Sequence, residues 1–491
     1  MKNYSPVLAK PAITLFSACL LTSCSGLKNE SEQKDIRFRK LPNIVLISLD
    51  DSNNWLGAWG GQAITPNIDK LAAQGRMFYN AHCVAPVCNS SRTALLTGQR
   101  PETTGQWGNP GNFRDLPGGA ERITLPQYLR AQGYEAVAAG KIFHNPRGSA
   151  EKPSPHSDDV SWDYQWVGEF GVPGWDNYYD DKGFVKWIKG KDIGSYPGSK
   201  QLEGFLKLQG FWGPVPYDTE ECGDWQVMDF GVQYLEKEHD KPFFLALGTL
   251  MPHLPHLAPQ KYFDMYPLDK IQFPYVPADE MDDIPADERT SLFTTILGLM
   301  KEMGEYEKAV QAYLASTSFA DDCVGHFMNA LDKSKYKDNT IVIFISDHGY
   351  KLGHKNRWAK GTLWNQSTHS PLAIRLPEGM IEPGVSTTPV SFLDVFPTIV
   401  DLLGLEKPSF IEGNSLMPLL INPASEWKHP AIVTNGPGNH SILYDKWNYI
   451  RYEHGAEELY NLAGDPDEHI NLAADTAYRD IINRLSEWIP E

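Results

Sequence analysis

The amino-acid sequence predicts an α/β layered protein with a smaller α+β unit at its C-terminal end. Two observations carry the first part: continuous apolar runs that each stop at polar residues, and helix-start signals spaced between those runs. A third, a change after Leu405 to short strand-like runs, carries the second.

Asn43-Ile-Val-Leu-Ile-Ser-Leu49 is unbroken by polar alternation and ends in Asp50-Asp51. Such a run reads as a strand buried on both faces, the hallmark of a parallel sheet. Thr65 to Gly75 then places a capping Thr, a Pro at the first helical position and a closing Gly. Thr124 to Gly133 repeats that grammar, and Tyr134 to Ala139 follows as a strand. Pro242 to Gly248 and Thr340 to Ser346 are two more buried strands, with a largely helical stretch from Ser291 to Leu331 between them. Open α/β sheets gather their ligand sites beyond the carboxyl ends of strands. Asp50, Asp51, His253, Asp347 and His348 are therefore expected to share one site.

Residues 150–225 break the alternation and carry Trp162, Trp166, Trp175, Trp187, Trp212 and Trp225. They read as an aromatic-rich insertion near the mouth of the site, whose rings either stack on sugars or pack the insertion itself. Near the C-terminus, Pro430 to Thr434, Ser441 to Tyr444, Trp447 to Tyr452 and Glu458 to Leu462 read as short antiparallel strands, and a helix runs from about Tyr478 to Trp488. The domain reading is an export signal over 1–23, a polar tether over 24–40, a catalytic domain over 41–425 and a C-terminal subdomain over 426–491. No internal repeat is visible.

Composition narrows the function classes. Of 491 residues, 41% are hydrophobic and 22% charged, ordinary for a globular protein. A formal charge of −18 argues against a nucleic-acid partner, which would need an electropositive face. Small anionic groups stay open, provided basic side chains gather in one pocket. Lys2 and Lys10 precede a short apolar run from Pro11 to Leu21, an export-signal pattern too short to span a bilayer. Leu21-Thr22-Ser23-Cys24 resembles the bacterial lipobox, in which Cys24 becomes the lipidated first residue; an ordinary signal with an incidental cysteine is the alternative. The expectation is an exported lipoprotein of the bacterial periplasm, outer membrane or cell surface, touching the membrane through its lipid only. Cys19 leaves with the signal, so Cys83, Cys88, Cys222 and Cys323 remain, too few for a disulfide scaffold. One bridge among Cys83, Cys222 and Cys323 is possible.

Asp50-Asp51 and Asp347-His348 follow two of the strongest strands. Neighbouring carboxylates are costly to bury without a cation, and three of them suit a hard divalent ion. Ca2+ tolerates irregular geometry better than Mg2+, although His348 is a less expected calcium ligand than an oxygen.

Cys88-Asn-Ser-Ser-Arg92-Thr-Ala-Leu-Leu-Thr97-Gly98 resembles the signature of the formylglycine-dependent sulfatases of the alkaline-phosphatase superfamily, Cys-x-Pro-x-Arg followed by a helix and Thr-Gly. The similarity continues in order through Pro42-Asn-Ile-Val, Asp50-Asp51, Gly140-Lys141-Ile-Phe-His144 in its iduronate-2-sulfatase-like form, and Pro252-His253-Leu-Pro255. It then takes in Ser346-Asp347-His348-Gly349, Trp358-Ala-Lys360, and Glu458-Leu-Tyr-Asn-Leu462 with Asp465-Pro466, covering about residues 42–472.

The resemblance implies an alkaline-phosphatase-like large mixed β-sheet flanked by helices, with a small C-terminal α+β subdomain. It implies a sulfatase acting on a sulfated polysaccharide or oligosaccharide, with Cys88 oxidised to formylglycine by a formylglycine-generating maturase. Asp50, Asp51, Asp347, His348 and the modified Cys88 would hold Ca2+, while Lys141, Lys360 and Arg92 would neutralise sulfuryl oxygens. The hydrated aldehyde would attack sulfur with Asp347 assisting, His253 would protonate the departing oxygen, and His144 would help expel sulfate. Two departures stand out. Ser90 occupies a place usually held by Pro, and Met251 and His256 flank His253 where relatives carry other residues, so both are expected at the substrate. A phosphodiesterase or phosphonate hydrolase of the same superfamily, and a non-catalytic surface glycan-binding protein, are the competing readings.

Overall fold

Asn43–Leu49 forms β1, with every residue buried. Val45, Ile47 and Leu49 enter one apolar cluster and Ile44 and Leu46 another, because successive side chains leave a strand on opposite faces. Both faces of the sheet are covered, which explains the lack of polar alternation in this run. This is a computed structural model; it describes residues 35–144, 158–166, 168, 171–173, 186–188, 190–196 and 198–490. The expectations for the export signal, the lipid at Cys24, most of the tether and Trp175 lie outside the described residues.

Seven further strands join β1: β2 Arg76–Phe78, β3 Glu135–Gly140, β4 Tyr164–Trp166, β5 Phe243–Gly248, β6 Thr340–Ser346, β7 Leu372–Arg375 and β8 Gly384–Ser386. Their order is β8-β2-β7-β6-β1-β5-β3-β4. β6, β1, β5, β3 and β4 are mutually parallel, and β7 runs against both β6 and β2. The sheet is mixed, with one reversed strand. Four neighbouring parallel strands, β6, β1, β5 and β3, bring their carboxyl ends side by side.

Helices fill both faces. α1 Pro66–Ala73, α3 Gly223–Leu235 and α4 Tyr306–Lys333 bury their apolar residues in the first cluster, and α2 Cys88–Thr97 packs in the second. Thr65 precedes α1 as expected, but its hydroxyl accepts from Gly57 N and donates to Asp69 instead of capping. Two first-turn N–H groups without intrahelical partners are taken by Asp321 of α4, which accepts from Asn67 N at 3.2 Å and Ile68 N at 2.7 Å. A long-range carboxylate does the work assigned to a local hydroxyl.

The C-terminal strands are Ala431–Thr434, His440–Tyr444, Trp447–Arg451 and Glu457–Asn461, an antiparallel sheet of their own, with a helix at Arg479–Ser486. Buried Glu458 accepts from Trp364 Nε1 at 2.8 Å and so ties this sheet to the segment after Lys360. The aromatic insertion packs against the body. Trp162 stacks on Phe244, Trp166 on Phe230, Trp187 lies against Trp212, and Trp225 stacks on His326. These described rings are engaged by protein, which favours packing over sugar stacking. Cys83, Cys88, Cys222 and Cys323 are all free thiols, so none of the possible bridges forms among the described residues.

Candidate active site

Five loops at the carboxyl edge of the sheet build one buried constellation. β1 delivers Asp50 and Asp51, β6 delivers Asp347 and His348, β5 leads to His253, and β3 turns into Lys141. A hairpin of Lys351–Leu352 with Trp358–Ala359 supplies Lys360. The turn at Lys141 depends on glycine. Gly140 pairs with Gly248 at the ends of β3 and β5 with φ of 72°, and a Cβ there would meet Gly248 O at 2.0 Å. Lys141 N then donates to Gly248 O at 2.9 Å, turning the chain into the site.

Cys88 opens α2, whose ten residues are all buried. Its Sγ accepts from Lys360 Nζ at 3.0 Å and lies 3.3 Å from His348 Nε2. His348 Nδ1 donates to Gly349 O at 2.9 Å, which leaves the Nε2 lone pair facing the thiol and Asp51. Burial pushes the Cys88 thiol up, against the lowering effect of Lys141 and Lys360. Ser90 lies in the first turn, where a helix makes no intrahelical use of the N–H, so the backbone accommodates Pro or Ser, although Ser90 Oγ is buried without a partner.

Arg92 departs from its expected role. Its guanidinium donates to Asp347 Oδ2 at 3.0 Å, Asp50 Oδ1 at 3.4 Å, and the carbonyls of Lys141, Ile142 and Leu49 at 2.7, 3.1 and 3.2 Å. With its donors engaged by protein, it positions two carboxylates and the Lys141 turn rather than neutralising a substrate. Met251 and His256 are corrected likewise. Met251 is buried in the apolar core, and His256 packs edge-on against Tyr313, Tyr350 and Trp358 with Nδ1 donating to Pro252 O. Both pack against core side chains and support the His253 loop.

One carboxylate escaped the sequence reading. Asp224 on α3 accepts from Gly171 N at 2.7 Å, Leu250 N at 2.9 Å and Met251 N at 2.8 Å. It clamps the loop whose Leu250 O in turn accepts from His253 N. The only local signal was an acidic residue at a helix start after Cys222-Gly223, far too common to single out.

Electrostatically the site balances Asp50, Asp51 and Asp347 against Arg92, Lys141 and Lys360. Lys141 pairs with Asp50 and Lys360 with Asp51. Burial would raise Asp50, but Lys141, His253 and Arg92 around it hold it well below the carboxylate range. Asp51 is pushed up to about 7 by burial, with Asp50 and Asp347 adding to the rise against Lys360. His348 falls to about 4 and His253 well below its ordinary value, both chiefly through burial, so the imidazoles are neutral. His144 is lowered to about 2 by burial, with Lys141 beside it, which places it within reach of the same charges.

The donor set fits a divalent cation. Ligand atoms of Asp50, Cys88, Asp347 and His348 all lie within 4.8 Å of one another, as do those of Asp51, Cys88 and His253. Asp51 Oδ2 is buried with no hydrogen-bond partner, an acceptor that a cation would satisfy.

Residues 42–405 match the family described as Sulfatase, and residues 353–491 match the family described as N-sulphoglucosamine sulphohydrolase, C-terminal. The chain belongs to the sulfatase family. It is a sulfuric ester hydrolase with the alkaline-phosphatase-like fold. A sulfatase of Formosa agariphila is 35% identical over 493 residues, covering 97% of this chain and 91% of that one. Mouse iduronate 2-sulfatase is 32% identical, covering 93% of this chain and 81% of the relative. Two solved structures share the fold. An enzyme in complex with its substrate D-glucosamine-2-N,6-O-disulfate gives a TM-score of 0.66 at 20% identity over 91% of this chain and 96% of that one. The phosphonate monoester hydrolase of Silicibacter pomeroyi gives 0.68 at 21% identity over 91% and 94%. The sulfatase's expected site residues thus come together at one edge of the sheet, except Met251 and His256, which lie beneath it.

Proposed function

We propose that this sulfatase removes sulfate from a sulfated carbohydrate, using a formylglycine made from Cys88 and a Ca2+ ion, and that it is exported and anchored through a lipid on Cys24. The observation that carries the reading is the Cys88 thiol at the first turn of α2, 3.0 Å from Lys360 Nζ and 3.3 Å from His348 Nε2, beside three carboxylates. The glycan reading draws support from the relatives, one of which is an iduronate 2-sulfatase and another is bound to a disulfated glucosamine.

Asp50, Asp51, Asp347 and His348 would hold the ion, which supplies positive charge for the sulfuryl oxygens. The formylglycine, once made by its maturase, supplies a hydrated aldehyde as nucleophile. The chain's own residues do the rest. Lys141 and Lys360 add positive charge around the sulfate. Asp347 is held by Asp51 N and His348 N on Oδ1 and by Arg92 on Oδ2, which aims it at the Cys88 position. His253 donates Nδ1–H to Leu254 O, so Nε2 faces the site, 3.8 Å from Asp51 Oδ2. With the anionic substrate beside it to favour the protonated ring, that nitrogen is the one placed to pass a proton to a departing sugar oxygen. His144 serves the later release of sulfate as a base.

Mass spectrometry of the tryptic peptide from Met77 through Arg92, on protein made in its native host, tests the reading. Aldehyde in place of thiol is expected, and a peptide carrying thiol alone would sink it. Turnover of matched aryl sulfate, phosphate and phosphodiester esters separates sulfatase from phosphonate-hydrolase chemistry; sulfate should be preferred. Loss of lipid labelling in Cys24→Ser tests the anchor.

A further inference from the structure

The carboxyl edge of the sheet carries a second concavity, of about 410 Å3, on its β2 and β8 flank. Asn54 and Trp55 reach it from the loop after Asp50-Asp51, Tyr79 from the end of β2, and Thr387 from the end of β8. His354, from the hairpin that carries Lys360, and Asp467, from the C-terminal part, complete the wall. β2 and β8 are parallel to each other and, through the reversed β7, run in the same sense as β6. The concavity therefore opens on the same edge as the Cys88 site, up to three strand spacings away, on the order of 14 Å.

Its lining leaves hydrogen-bonding capacity unused. Gln366 Oε1, Asn365 Oδ1 and His354 Nδ1 are buried without a partner, and residues Gln366 and His354 are each 7% exposed. Buried polar atoms of this kind call for a ligand or an ordered water. Trp55 and Tyr79 add apolar wall. The charged lining residues are Asp445, Asp467 and Lys446, so no cationic excess exists to hold a sulfate. Amides, an imidazole and a carboxylate beside aromatic surface are the chemistry that recognises hydroxyl groups on an apolar ring.

We propose that this concavity is a distal saccharide subsite, taking an uncharged, unsulfated sugar ring of the same glycan whose sulfate enters the Cys88 site. The inference rests on the carbohydrate-sulfatase reading and adds a second point of grip. The amide side chains of Gln366 and Asn365 offer hydrogen-bonding groups in the wall, and Trp55 and Tyr79 cover the apolar side of the ring.

Saturation-transfer NMR on the full protein, with D-galactose, D-glucose and D-xylose as separate probes, tests it. Transfer to the ring protons of at least one probe is expected. It should be lost in Ala463→Trp, which adds bulk at an exposed lining position, and weakened in Gln366→Leu, which removes an unpartnered carbonyl. Should Gln366→Leu fail to fold, Ala463→Trp with an unchanged melting transition decides. Absence of transfer from all three probes, meaning ordered water only, overturns the proposal, as does transfer that survives the folded variant. An unmodified Cys88 thiol would instead sink the sulfatase reading while leaving the NMR result standing, so the two failures are distinguishable.

Discussion

Asp224 is the residue whose replacement separates positioning from folding. Its carboxylate rises to about 6 through burial, despite three backbone N–H bonds that lower it. A group whose folded pKa is raised contributes stability below its unfolded value, near 3.8, and loses it as pH rises through about 6. At neutral pH the ionised carboxylate therefore costs the fold roughly 3 kcal/mol relative to a neutral group, at about 1.4 kcal/mol per unit. Asp224→Asn removes that cost. It also sets an amide donor against Met251 N–H, at about 1–3 kcal/mol for one orphaned donor. The two nearly offset, so global stability at pH 7.5 should change little. The loop, however, loses its grip at Met251, two residues before His253. A displacement of about 1 Å at a reacting group can cost ~100-fold in rate. The expected result is a kcat loss of that order on a sugar sulfate, whose departing oxygen needs the proton proposed to come from His253, and a smaller loss on an activated aryl sulfate. Thermal unfolding at pH 5 and 7.5 beside both kinetic series is the assay. Equal losses on the two substrates, or large destabilisation with unchanged kcat, would refute the clamp.

His253→Ala should follow the same split more strongly, ~100-fold or more on sugar sulfates and less on aryl sulfates; equal losses would remove His253 from the acid role. Arg92→Met leaves Asp50 and Asp347 short of a buried partner, and is expected to destabilise by about 3–5 kcal/mol, read by urea unfolding, with activity lost on every substrate. Chelation of divalent ions should abolish turnover, with Ca2+ restoring it better than Mg2+; full activity in excess chelator would refute the metal site. Asp321, pushed up to about 7 by burial, contributes stability that is lost as pH rises through that value. Asp321→Asn should therefore gain on the native protein between pH 4.5 and 8 in urea titrations, and a constant gap would be contrary.

The legible parts of the fold were those written locally. β1 and β6 announce themselves because strands covered on both faces need unbroken apolar runs, and reactive residues stand where those runs stop. The C-terminal sheet was equally readable from its run of short strands. What escaped depends on partners distant in sequence. Asp321 caps α1 from more than two hundred residues away, and Asp224 clamps a loop from a neighbouring helix. Arg92 was found but misassigned, since only the fold reveals that carbonyls of Leu49, Lys141 and Ile142 surround it. Met251 and His256 adjoin His253 in sequence, yet the whole segment is buried and the two side chains pack into the apolar core and against aromatic rings.

The charge arrangement explains how so acidic a chain can bind an anion. Lys141 and Lys360 are engaged by Asp50 and Asp51, so the three cations and three carboxylates leave the site no net charge to offer. Burial pushes Asp51 up to about 7, and one of its oxygens has no partner. A divalent ion among these oxygens would satisfy that acceptor and leave the ensemble positive by about two charges. Lys141 and Lys360 would then face the substrate with charge no longer fully matched by carboxylate. Metal binding and anion binding would be coupled through the same side chains, so sulfate ester should bind poorly to the stripped protein. Lys360→Met, which removes the cation beside both Asp51 and Cys88, should weaken substrate binding more than Arg92→Lys, whose charge stays with its carboxylates. Measuring KM for one aryl sulfate in both variants tests the coupling, and a larger rise for Arg92→Lys would contradict it.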